Sequence, residues 1–166
     1  WRTTKHISFR KLAKFIRPSL LNFLLQFGHH EENLKKYNIT NMWFNYTDKS
    51  EGDHKAHIHT DTDLTGVYYP CGDKQFEITA TNDPQPGNLI LHDPSGFIKP
   101  IATNPNKVNL HPYHGLPIAI TPQESLLVCF PPWVAHSVTP KGEGSPRISI
   151  SFDFCDNTHE KYYETI

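Results

Sequence analysis

His57-Ile-His59-Thr-Asp61 sets three side chains able to bind metal at alternate positions of one short segment. In an extended strand successive side chains point to opposite faces, so these three would share a face and could grip one ion from one direction. Imidazole and carboxylate together suit Fe(II). Two histidines and one carboxylate on one octahedral face leave three positions open, enough for a bidentate co-substrate and O2. The remaining protein ligand must come from elsewhere, and His136, just after Phe130-Pro-Pro-Trp133, is the natural candidate. Arg147-Ile-Ser149 follows, a guanidinium and a hydroxyl on one side of a strand, suited to holding a carboxylate by charge-assisted hydrogen bonds. A chain with eleven histidines produces an isolated HxH readily. The ordered set of HxHxD, then His, then Arg-x-Ser is far rarer by chance.

These residues need a scaffold of strands, and the chain supplies one after about residue 40. Short β-rich runs appear at Met42–Tyr46, Leu64–Tyr69, Gln75–Thr79, Asn88–Leu91, Leu116–Ile120, Ser125–Phe130 and Arg147–Phe154. Turn chemistry separates them, as in Asp83-Pro-Gln-Pro-Gly87 and Lys141-Gly-Glu-Gly-Ser-Pro146. The last run alternates strictly, with Ile148, Ile150 and Phe152 on one face and Arg147, Ser149, Ser151 and Asp153 on the other. The first forty residues read helical. Phe9, Leu12, Phe15 and Ile16 recur at helical spacing, Pro18 breaks or restarts the pattern, and a second stripe from Leu20 to Phe27 stops at Gly28 in a C-cap position. The expected class is mainly β (α+β), a β-sandwich or jelly roll, with a helical buttress over 1–40 and a β core over 41–166 in a single domain. The irregular stretch from Phe97 to His114, with His111 and His114, is expected to be a functional loop shaping the entrance to the site.

The 166 residues suit one domain, and a net charge of −1 leaves no broad basic footprint, so a nucleic-acid partner is not expected. No apolar run is long enough for a membrane span. The three cysteines have no CxxC spacing and read as reduced thiols of a cytoplasmic protein. The sequence starts at Trp1 with no signal-peptide pattern, as expected of a chain with residues upstream.

From about Trp43 to Phe154 the sequence resembles the double-stranded β-helix oxygenases that use Fe(II) and 2-oxoglutarate. Pro131-Pro-Trp-Val-Ala-His136-Ser-Val-Thr-Pro followed by Arg147-Ile-Ser-Ile-Ser-Phe, with His57-Ile-His59 leading into Thr65-Gly-Val-Tyr-Tyr69, is similar to a family of such oxygenases found in bacteria and phages. Gly52-Asp-His-Lys-Ala-His57 and the paired tyrosines are more weakly similar to prolyl hydroxylases. The resemblance implies a dioxygenase that hydroxylates a C–H bond while converting 2-oxoglutarate and O2 to succinate and CO2. His59 and His136 would be iron ligands, completed by His57 in a three-histidine register or by Asp61 in an HxD register. Arg147 and Ser149 would bind the far carboxylate of 2-oxoglutarate, helped by Tyr68 or Tyr69, and Trp133 would pack beneath the metal. The substrate would be a small molecule or a peptide side chain. Two alternatives stand beside this: a cupin-like three-histidine metalloenzyme that does not use 2-oxoglutarate, and a non-catalytic jelly-roll binding module.

Overall fold

A computed structural model describes residues 7–48, 53–72, 77–94, 116–143 and 146–156. The expected loop from Phe97 to His114 lies outside the described residues, as do His111 and His114.

The chain opens with helix α1 (Ile7–Gln26), followed by a short 3-10 turn (Glu31–Lys36). Pro18 lies inside α1 and does not end it. Its ring costs one backbone hydrogen bond, but it sits on the exposed side, while Ile16, Leu20 and Leu24 on the opposite side are buried. Burial of that stripe against the sheet outweighs the local break. Phe15, expected in the stripe, is 74% exposed. Gly28 ends the helix at φ +88, with its N–H on Leu25 O and the His29 N–H on Leu24 O. This is the left-handed glycine cap expected from the sequence. Among the described residues no helix is long and apolar enough to cross a membrane.

Among the described residues nine strands follow: β1 (Tyr37–Thr47), β2 (His54–His57), β3 (Leu64–Tyr69), β4 (Ile78–Ala80), β5 (Leu89–Leu91), β6 (Ile118–Ile120), β7 (Leu126–Phe130), β8 (His136–Val138) and β9 (Arg147–Asp156). They form two antiparallel sheets, one ordered β1-β9-β3-β7 and the other β2-β8-β5-β6-β4. The chain is thus mainly β, as the sequence indicated. The strands β2 and β8 carry no separate signal in the sequence; both are short, and β2 (His-Lys-Ala-His) lacks the β-branched residues that mark a strand.

The core has two parts. One face of the four-stranded sheet packs Leu64, Phe152 and Phe154 against Ile16, Leu20 and Leu24 of α1. The other face sets Val67, Tyr69 and Phe130 against Leu89 and Ile120 of the second sheet. Gly66 is required in the first part, because a methyl group there would collide with the Val128 carbonyl oxygen and come 2.6 Å from Phe152 Cζ. Strand β9 therefore presents its apolar residues to the helix and its polar row, Arg147, Ser149, Ser151 and Asp153, to the space between the sheets.

Candidate metal centre

The space between the sheets holds a cavity lined by His57, His59 and His136 together with Trp43, Tyr69, Arg147 and Ser149. Antiparallel pairing of β2 with β8 sets His57 opposite His136. His59 lies beyond the end of β2, its N–H held by Pro132 O at 3.0 Å, and this tie carries the ring across to the first sheet. One nitrogen from each of the three rings lies within 4.8 Å of the others. Among the described residues no other cluster of histidine, cysteine or carboxylate groups comes together in this way.

The hydrogen bonds decide which nitrogen of each ring is free. His57 Nδ1 is 2.8 Å from Lys55 O, and His136 Nδ1 is 3.1 Å from Val134 O. His59 Nδ1 is 2.8 Å from Asp153 Oδ1. Carbonyl and carboxylate oxygens only accept, so each Nδ1 is the donor, and in the neutral form of each ring Nε2 carries the lone pair. That is the preparation a metal site needs, with ring orientation fixed from behind. His136 is 7% exposed. Burial, opposed by the Val134 bond and aided by the neighbouring histidines, holds its pKa down to about 4, so it stays neutral at pH 7.

Asp61 does not join the group. The segment leaves the extended conformation after His57, and Asp61 adopts φ +62, so the alternation that would align it with the histidines is interrupted. Its exposed carboxylate is 3.3 Å from the Thr60 hydroxyl. The two tyrosines separate by strand parity. Tyr69 is 2% exposed and lines the cavity, whereas Tyr68 pairs across β9 with Ile150, on the helix side of the sheet. Trp133, expected beneath the metal, stands at the surface with 59% exposure and lines a separate apolar cleft with Phe23 and Phe27. It follows β7 in a turn whose Val134 N–H bonds Pro131 O, and that turn projects its ring away from the histidines.

Arg147 is buried and lines the same cavity. Its Nη2 donates to Thr47 Oγ1 at 3.4 Å, while Nε and Nη1 are buried without a hydrogen-bond partner. Burial pushes its pKa down, and the nearby Tyr69 hydroxyl opposes that push. A buried guanidinium with two idle donors is costly unless an anion meets them. Ser149, also buried, lies on the same face of β9 two residues along.

Several lining residues have no signal in the sequence. Trp43 stacks on His59 with centroids 5.8 Å apart, and Asn45 donates to Ser151 Oγ at 3.0 Å. Both reach the cavity because β1 pairs with β9, a contact between segments more than a hundred residues apart. His54 also lines the cavity, and burial with the Arg147 charge holds its pKa below the usual histidine range. Asp153 could have been noticed, since it continues the Arg147-Ser149-Ser151 row, but nothing local ties it to His59.

A family model described as "Putative 2OG-Fe(II) oxygenase" matches residues 41–153, a span that contains every residue of this site. No curated protein matches the chain.

Proposed function

The chain belongs to this 2OG-Fe(II) oxygenase family, and from that membership and the cavity we propose that it is an Fe(II)- and 2-oxoglutarate-dependent dioxygenase of the hydroxylase type. The observation that carries the reading is the pairing, within one cavity, of three imidazoles with free Nε2 atoms and a buried guanidinium with two unpaired nitrogens. The residues fit both groups. Imidazole nitrogens suit Fe(II), and Nε and Nη1 of Arg147, on two edges of the guanidinium, each hold a buried N–H donor that an anionic carboxylate can meet.

In this reading His57, His59 and His136 hold the iron, and Arg147 holds the far carboxylate of 2-oxoglutarate. Ser149 and Tyr69 line the cavity with Arg147 and offer hydroxyls to the same carboxylate. Val67, Leu89, Phe130 and Val138 form apolar walls that keep water from the co-substrate. When bound, iron and 2-oxoglutarate supply, with O2, the oxidation of a C–H bond, releasing succinate and CO2. The protein's share is to orient and to exclude. His57 is the exposed ligand, so a small molecule or peptide side chain would approach from its side. The two facing sheets are read as a double-stranded β-helix, and the free thiols of Cys71, Cys129 and Cys155 suit a cytoplasmic setting.

An anaerobic titration with Fe(II) and then 2-oxoglutarate tests this by the visible charge-transfer band of the chelate. The band should form in the parent and weaken strongly in Arg147→Ala. Iron binding without a band would favour a cupin-like centre that does not use 2-oxoglutarate. Absence of iron binding by folded protein would leave a binding module.

A further inference from the structure

The three ligand rings are not held alike. His57 and His136 direct Nδ1–H to neutral backbone carbonyls, whereas His59 directs it to the carboxylate of Asp153. That carboxylate is itself fixed. Oδ1 lies 2.8 Å from His59 Nδ1 and 3.4 Å from the Thr65 hydroxyl, and Oδ2 accepts from Asn41 Nδ2 at 3.1 Å. The Asp153 and His59 side chains are each 13% exposed, so the pair is poorly screened by solvent. Trp43 stacks on the His59 ring at an interplanar angle of 20° and fixes its plane.

We infer that Asp153 is a positioning residue that supplies, through His59, the negative charge this ligand set lacks. The inference rests on the three-histidine reading of the metal centre. Three neutral imidazoles bring no charge to a dication, unlike a set containing a carboxylate. An anion on Nδ1–H draws that proton outward and makes the Nε2 lone pair more basic, so the charge is felt at the metal without a carboxylate touching it. The bond from Asn41 keeps the carboxylate from turning towards the ion. The carboxylate sought at Asp61 thus enters from β9, one bond further out.

The test uses Co(II) alone under anaerobic conditions, so neither turnover nor 2-oxoglutarate enters the readout. Asp153→Asn keeps the side-chain shape and removes the charge. It should weaken Co(II) binding about 10–100-fold and shift the visible Co(II) bands, with the far-ultraviolet circular dichroism unchanged. Parent-like affinity and spectrum in the folded variant would overturn the inference. A second measurement needs no variant. Long-range proton–nitrogen NMR of the metal-free parent should show His59 protonated at Nδ1, and a bare Nδ1 would overturn the inference. A parent that binds no Co(II) refutes the metal centre, and this inference with it. A parent and variant that bind equally refute the role of Asp153 alone.

Discussion

Replacing Arg147 by methionine should make the protein more stable in the absence of co-substrate while removing its response to 2-oxoglutarate. Arg147 is 8% exposed, and two of its three guanidinium nitrogens are buried without a partner. Its one side-chain hydrogen bond, to Thr47 Oγ1, is long at 3.4 Å. A buried donor group left unpaired costs about 1–3 kcal/mol. Methionine keeps the apolar stem and removes the donors, so the variant should gain roughly that amount. At about 2–4 °C per kcal/mol for a chain of this size, Tm should rise by several degrees. Ligand linkage works against this ranking. With Fe(II) present and 2-oxoglutarate at a hundred times Kd, the parent should gain about 2.7 kcal/mol and the variant almost nothing. Thermal unfolding of both proteins, with and without 2-oxoglutarate under anaerobic conditions, measures all four states. A variant less stable than the parent without co-substrate would refute the argument that the guanidinium is held unpaired. An equal gain from 2-oxoglutarate in both proteins would remove Arg147 from the carboxylate site.

Asp61→Asn should bind Fe(II) within about twofold of the parent, whereas His57→Ala should lose at least tenfold by anaerobic titration, and the reverse order would restore the HxD register. Gly66→Ala should cost at least about 1–3 kcal/mol by urea unfolding, because the added methyl meets the rigid Val128 carbonyl as well as the Phe152 ring; a change under 0.5 kcal/mol would show that the sheet yields there. In the folded protein at pH 8, iodoacetamide should modify the exposed Cys71, while Cys129, whose pKa burial pushes up to about 12, and the buried Cys155 should react only after denaturation, as read by mass spectrometry of the labelled peptides.

What could be read in the sequence follows from how far each signal reaches. The alternation of β9 and the glycine cap at Gly28 are local, and both appear in the structure where the residues indicated. Pro18 is local too, yet its effect is overridden because the flanking Ile16 and Leu20 bury against strands the local pattern does not contain. The HxHxD segment shows the limit of a periodicity argument. It holds while the backbone is extended, ends with β2 at His57, and cannot register the left-handed turn at Asp61. Tyr68 and Tyr69 are identical in type and adjacent, so only the partners of β3 separate them. Pairing with β9 sends Tyr68 to the Ile150 side, and the facing sheet takes Tyr69.

The polar row of β9 gives the reason these functions sit together. Arg147 and Asp153 are six residues apart on one face of one strand, about 20 Å along the backbone, and both side chains reach inward between the sheets. One end faces the proposed carboxylate and the other steadies a proposed iron ligand. Their spacing is set by strand geometry and not by loops. The opposite face of the same strand packs Phe152 and Phe154 under α1 at essentially zero exposure. A close-packed interior resists displacement, so the helix contributes to the chemistry without touching it: it holds the strand on which both charged anchors are mounted.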